Sequence, residues 1–161
     1  MQNEPGGKLV SKSKTEQIHV IVAQHLNGSG TLFGGQLALW IDEVAGVVAS
    51  RHCRCTVTTA AIDNLQFHES IVQNELLVLH GKMTYTGETS MEVRIDSFAE
   101  NLSGKIRLIN TAFVILVAIG HDGRPCKVPR LLLQNSIEEK EFEAGKRRKE
   151  FRKQMNKELY D

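Results

Sequence analysis

The chain predicts an α+β domain in which a curved antiparallel sheet wraps one long helix, and three observations predict it. A single stretch, Gly35 to about Arg51, carries apolar residues at helical spacing. Most of Thr56 to Ile119 repeats instead with the period of two that strands require. One strand precedes the helical pattern, the remaining strands gather after it, and no internal repeat is visible, which is the order of an α+β chain. With 161 residues and 41% hydrophobic content, the sequence is sized for one ordinary core.

Residues 1–14 are polar, with Gly6-Gly7 and several lysines, and read as a flexible N-terminal arm. Thr15 to Ala23 contains the β-branched run around His19-Val20-Ile21-Val22 and suits a first strand. Asn27-Gly28-Ser29-Gly30 is a turn. The helix follows, with Leu37, Ile41, Val44 and Val48 on one stripe. Thr56 to Phe67 and Leu76 to Tyr85 are strand-like, and Thr89 to Ala99 alternates Met91, Val93 and Ile95 with Glu92, Arg94 and Asp96. Thr86-Gly87-Glu88 is the hairpin between the last two. Arg107 to Ile119 is apolar on both faces over much of its length, so it belongs in the middle of the sheet or under another subunit. Asp122-Gly123-Arg124-Pro125 ends it. From Ser136 the composition turns to Glu, Lys and Arg, with Phe142, Phe151, Met155 and Leu159 among them, and reads as a solvated helix stitched by i,i+4 pairs. The division is an arm at 1–14, a globular domain at 15–135 and a polar, charged C-terminal helix at 136–161.

Several function classes are disfavoured. The longest apolar run, Ala112 to Ile119, is strand length, and the N-terminus lacks an apolar signal core, so a soluble cytoplasmic protein is expected. A formal net charge of +1 gives no reason to expect nucleic acid or a membrane as partner. Cys53, Cys55 and Cys126 are an odd count at the wrong spacing for a zinc ribbon and read as reduced thiols, and no metal site is expected.

One residue stands out. Asp42 lies in the middle of the helix, on a face otherwise made of Gly35, Ala38, Ala45, Gly46 and Ala49. Small residues beside a carboxylate leave a channel for a slim ligand. They equally let another backbone approach, with Asp42 in an ordinary hydrogen bond. Gly34-Gly35 puts unhindered N–H groups at the helix N-terminus, where unpaired donors and the helix dipole favour developing negative charge. An oxyanion stabiliser beside a carboxylate able to activate water makes an acyl-transfer site.

The sequence Asn27-x-x-Gly30-Thr31-Leu32-Phe33-Gly34-Gly35, followed by Asp42-Glu43-Val44-Ala45-Gly46 and Arg51-His52, resembles the signature of the hotdog-fold acyl-CoA thioesterases. The nearest group is the cytosolic acyl-CoA hydrolases and their single-domain bacterial relatives. Thr89-Ser90-Met91-Glu92-Val93 matches the same family, and the likeness runs over roughly residues 15 to 130. The resemblance implies a hotdog fold that pairs with a second copy, with active sites between the two. It implies that Asp42 is the catalytic carboxylate, that Asn27 is contributed by the other subunit, and that the Gly34 and Gly35 amides polarise the thioester carbonyl. Thr89, Ser90 and the Gly87 turn match the segment near coenzyme A. No metal or organic cofactor is implied, only coenzyme A as part of substrate and product.

Coenzyme A carries phosphates, yet no Walker-type loop is present, so scattered basic groups such as Lys105, Lys127 and Arg130 are the candidates to meet them. The run from His68 to Glu75 departs from the family's usual loop, which bears on acyl-chain selection. The expected activity is hydrolysis of acyl-CoA to a free acid and coenzyme A, in fatty acid metabolism, by a homodimer at least, with the hexameric trimer of dimers that relatives often form as the larger assembly the resemblance implies. A non-catalytic acyl-CoA-binding sensor or carrier and a hotdog enoyl-CoA hydratase or dehydratase are the alternatives on the same fold.

Overall fold

The helical stripe and the period-two segments meet face to face. A computed structural model describes residues 6–160. In chain order its strands are β1 (Lys8–Leu9), β2 (Thr15–Val20), β3 (Thr56–Asp63), β4 (Leu76–Thr86), β5 (Ser90–Glu100), β6 (Ile106–Ile119) and β7 (Leu131–Leu132), with helices α1 (Gly34–Cys53) and α2 (Ser136–Tyr160). Five strands form an antiparallel sheet in the order β2-β4-β5-β6-β3, and α1 packs on all five. This is the α+β hotdog arrangement that the resemblance implies, and β6 is an inner strand as its two apolar faces require.

Leu37, Ile41, Val44 and Val48 are buried as their spacing predicts, joined by Trp40. Burying each large side chain contributes about 1.5–3 kcal/mol. Met91, Val93 and Ile95 meet them from the sheet, all fully buried. Where α1 crosses β4 the sheet has Gly81, because a Cβ there would lie 2.8 Å from the methyls of both Val44 and Val48. The helix stops at Arg54, which turns left-handed at φ 57° and returns its N–H to the Ser50 carbonyl.

Four expectations change. The first strand ends at Val20, and residues Ala23–His25 form a 3₁₀ turn instead. Part of the presumed arm is ordered: Lys8–Leu9 pairs in parallel with Leu131–Leu132, and Val10 and Ser13 are buried. The rest of that arm, residues 1–5, lies outside the described residues. Ala45 and Ala49 are wholly buried in the core, so the small-residue face is open only near Gly35, Ala38, Asp42 and Gly46. Finally, α2 is not a freely solvated helix. It lies on the outer face of the sheet, where Glu92, Arg94 and Asp96 point, and its charges pair across to the strands. Arg148 binds Glu92 at 2.7 Å, Arg152 binds Asp63 at 2.7 Å, and Glu141 binds Lys82 at 2.7 Å and Arg94 at 3.1 Å. Helix and sheet touch closely at Gly145, where a Cβ would sit 2.7 Å from that of Tyr85.

Candidate active site

Asp42 emerges half-buried from the middle of α1, toward β3. That strand carries a bulge between Thr59 and Ala61, a device that re-aims side chains. Beside it the Thr59 hydroxyl donates to Asp42 Oδ1 at 2.6 Å. Asp42 therefore has a partner, but an uncharged one. Among the described residues no cation pairs with it, and its Oδ2 has no hydrogen bond. A carboxylate oriented by one hydroxyl keeps a lone-pair face for a water or an electrophile. Sequence reasoning did not single out Thr59. Alternation from Val57 puts its hydroxyl on the helix side, but only the strand register identifies the residue it meets.

The second cluster sits at the other end of the helix's first turns. Asn27 closes its own loop: its Oδ1 accepts from the Ser29 N–H at 2.9 Å and the Thr31 N–H at 3.2 Å, and its Nδ2 donates to the Thr31 hydroxyl at 3.1 Å. The loop leads into α1, whose N-terminus has no side-chain cap. Gly34 and Gly35 are thus at uncapped amides, although they are less open than their sequence suggests. The Phe33 ring packs on Gly35, where a Cβ would fall 2.5 Å from it, and the Phe67 ring packs on Gly34. Eight residues of helix, about 12 Å, separate Gly34 from Asp42. Asn27 and Asp42 of one chain share no hydrogen bond among the described residues, and the cavity beside Asn27 does not include Asp42.

A cavity of about 360 Å³ opens beside Asn27 and Gly34, with Leu37, Ile71, Ile109 and Phe67 on its apolar walls. Its outer wall is the His68–Glu75 run, which is firmly tied. Arg107 makes a two-pronged pair with Glu75 at 2.7 and 2.8 Å and also reaches the Ser70 carbonyl at 2.8 Å and Glu69 at 2.9 Å. Hydrogen bonds from that guanidinium hold the Glu75 carboxyl below the usual carboxylate range. Glu69 is thereby engaged, and His68 borders the cavity. His25 lies edge-on to Trp40 at 4.9 Å, and His19 stacks on the same ring at 3.9 Å.

Gly87, Thr89 and Ser90 form the β4–β5 turn, closed by the Gly87 N–H to the Ser90 carbonyl at 2.8 Å. The Lys127 to Arg130 segment runs alongside: the Val128 N–H binds the Glu88 carbonyl at 2.9 Å, and Lys127 lies 3.9 Å from Glu88. The structure adds Lys149 of α2, whose Nζ would touch a Cβ on Gly87 at 2.7 Å. This group lies at the same level of the sheet as Thr59, since Thr59 pairs with Leu116 and Leu116 with Met91, two strand spacings or about 10 Å. Lys105 does not join it. It belongs to the opposite turn, a full β5 length or about 30 Å away, and so is no neighbour of Gly87, Thr89, Ser90, Lys127 or Arg130 within one chain.

Residues 29–103 match the Thioesterase superfamily. The chain is 33% identical over 135 residues to the uncharacterized acyl-CoA thioester hydrolase YkhA of Bacillus subtilis, covering 83% of this chain and 78% of that one. It belongs to the thioesterase superfamily. Solved members superpose closely: an apo-hexameric acyl-CoA thioesterase has a TM-score of 0.89 at 35% identity, covering 93% of this chain and 97% of that chain. The acyl-CoA hydrolase of Staphylococcus aureus, solved with butyryl coenzyme A, has a TM-score of 0.88 at 29% identity, covering 94% and 93%. Larger relatives extend further. The cytosolic acyl coenzyme A thioester hydrolase of Rattus norvegicus is 34% identical over 148 residues, which cover 89% of this chain but only 39% of that one. No helix among the described residues of this thioesterase-superfamily chain is long and apolar enough to cross a membrane.

Proposed function

We propose that this chain hydrolyses acyl-CoA thioesters to a free carboxylic acid and coenzyme A. The Asp42–Thr59 hydrogen bond carries the reading: it orients a carboxylate with a free oxygen beside the open stretch of α1 around Ala38 and Gly46. Asp42 takes a proton from water as the water oxygen attacks the thioester carbon, or attacks that carbon itself to form an anhydride that water then opens. In either route the carbonyl oxygen becomes an oxyanion, and the Gly34 and Gly35 amides at the uncapped helix N-terminus receive it. The C–S bond breaks, and coenzyme A leaves as the thiol after taking up a proton. No metal or organic cofactor enters this scheme.

Gly34 lies about 12 Å of helix from Asp42 within a chain, and Asn27 sits in the loop beyond it, so we assign the working site to two copies, with Asn27 of one facing Asp42 of the other. A homodimer is then the minimum, and the hexameric relative favours a trimer of dimers. The apolar cavity beside Asn27 takes the acyl chain. Gly87, Thr89 and Ser90 flank the coenzyme A, whose phosphates meet Lys127, Arg130 and Lys149. Support also comes from the Staphylococcus aureus hydrolase, which has been solved with an aspartate, an asparagine and a threonine separately replaced by alanine. Each carries a number one higher than Asp42, Asn27 or Thr59 here. A cytoplasmic location and a place in fatty acid metabolism accompany this reading, in keeping with relatives named cytosolic.

The test is release of free thiol from a panel of short, medium, long and aromatic acyl-CoAs. Asp42→Asn should lose about 10²–10⁴-fold in kcat while melting unchanged, and Thr59→Val about tenfold, the worth of one orienting hydrogen bond. If the native protein binds acyl-CoA but releases no thiol from any of them, it is a binding protein, and the hydrolase reading fails.

A further inference from the structure

α2 crosses the outer face of the sheet one strand per turn. It begins over β4, where Glu141 binds Lys82 at 2.7 Å and Phe142 packs on Tyr85. Arg148 then binds Glu92 of β5 at 2.7 Å with its guanidinium 3.7 Å above the Phe113 ring of β6, and Arg152 reaches Asp63 of β3 at 2.7 Å. β3 is the last strand of the sheet, yet the helix continues to Tyr160. Eight residues beyond Arg152 advance about 12 Å. Strands are spaced about 4.8 Å apart, so the helix overhangs room for roughly two more.

That overhang is where the helix turns apolar. Phe151, Met155, Leu159 and Tyr160 are exposed, and the first three, four residues apart, share a side. Between them and the free edge lies a groove of about 890 Å³, walled by Ala60, Ala61, Phe113, Phe151, Met155 and Tyr160. The edge itself is unblunted: Thr56, Thr58 and Ala60 are exposed, and β3 has a ladder partner on one side only. Natural sheets rarely leave such an edge without a cover or a pairing partner.

We propose that residues 151–160 form an arm that seats on the outer sheet face of a second copy of this chain. Antiparallel pairing of β3 with the second copy's β3 about a two-fold axis would put its last two strands, β3 and β6, under the overhang. The same axis brings the second copy's arm to this chain's groove, so one apolar patch serves both sides of a self-complementary interface. A peptide of another protein has no comparable claim, because the length of the overhang and the vacant edge match the same sheet continued. The inference rests on the two-copy site proposed above and adds the element that holds the copies together.

Two variants test it: the chain ended after Arg152, which keeps the Arg152–Asp63 pair, and full-length Met155→Glu/Leu159→Glu, which alters exposed positions and should leave each subunit folded by circular dichroism. Sedimentation equilibrium gives the dimer dissociation constant, and thiol release is followed across a dilution series. We expect both variants to raise the constant by at least about tenfold, or 1.4 kcal/mol. Each should lose specific activity on dilution earlier than the native chain and regain the native rate when concentrated. A native dimer whose variants dissociate no more readily overturns the arm and leaves the two-copy site standing. A native chain that is monomeric and fully active overturns both.

Discussion

Two helices lie on opposite faces of one sheet and are held there by opposite means. α1 is fastened by apolar burial, with Leu37, Trp40, Ile41, Val44 and Val48 against Met91, Val93 and Ile95. α2 is fastened by a ladder of ion pairs, with one close approach at Gly145 and aromatic contacts at Tyr85 and Phe113. Apolar burial is non-directional and adds up by area. Buried ion pairs depend on each partner, because losing one leaves the other desolvated and unmatched. The difference suits their tasks. α1 holds Asp42 against Thr59, and the pairs of α2 set it at one register with its end past β3.

The comparison can be broken from either side. Ile41→Ala removes a fully buried side chain from α1 and should cost about 3–4 kcal/mol in urea unfolding. Leaving all α2 pairs intact, it should act on both faces together if the domain unfolds as one unit. Glu92→Leu strikes α2 instead. Glu92 is 1% exposed and receives Arg148 and the Thr84 hydroxyl, with Arg152 nearby at 3.5 Å. Losing it should cost about 2–4 kcal/mol, because a half-buried guanidinium is left unmatched. The decisive companion is Glu92→Leu/Arg148→Leu. If ionic dependence rather than lost packing explains the single variant, the double variant is the more stable of the two. A double variant that is worse still would mean that α2 is held chiefly by packing, and the contrast with α1 would dissolve.

That contrast also explains what could be read in the sequence. The stripe Leu37, Ile41, Val44, Val48 and the alternation Met91, Val93, Ile95 expose their own periods, so α1, the strands and the α+β class were legible residue by residue. The same alternation placed Glu92, Arg94 and Asp96 together on the other face, but polarity looks alike whether it faces water or a charged helix. Arg148 and Arg152 find partners 56 and 89 residues away, and no local pattern announces a pairing at that range. The i,i+4 explanation was the cheapest local one, and it missed the docking of α2. The site divided in the same way. Asp42, Asn27 and Gly34-Gly35 stand out as candidates because a family motif holds them, whereas Thr59 comes beside Asp42, and Lys149 beside Gly87, only through strand register and helix docking. Lys105 lies at the far end of β5 from Gly87 within a chain, a separation hidden in the sequence because charge alone gives no sense of which end of a hairpin a basic residue occupies.

A smaller effect should come from acid. His52 closes α1, wholly buried, with Nε2–H donating to the Pro129 carbonyl at 2.9 Å and Nδ1 without a partner. Burial pushes its pKa down, and nearby Lys8 adds to this against the carbonyl's opposing pull. Below about pH 6.5 the unfolded chain therefore binds a proton that the fold refuses, so stability falls as the medium is acidified through that range. Melting temperatures measured from neutral to mildly acidic pH should show this slope, and His52→Gln should flatten it. A slope unchanged by the substitution would assign it to other groups.

The least effect belongs to a pair that looks on paper like those under α2. Glu16 and His80 meet at 2.8 Å on the same outer face, but toward the β2 edge beyond the start of α2, with both side chains more than half exposed. Water screens such a pair, and fixing two mobile side chains costs about what the attraction gains. Glu16→Gln should therefore change stability by less than about 0.5 kcal/mol at neutral pH. Set beside Glu92, the comparison holds face and sheet constant, and it replaces a covered guanidinium partner with an exposed imidazole. If Glu16→Gln costs as much as breaking the Glu92 pairs, desolvation by α2 is not what gives its ladder its strength, and the helix is a passenger on a sheet surface that was already set.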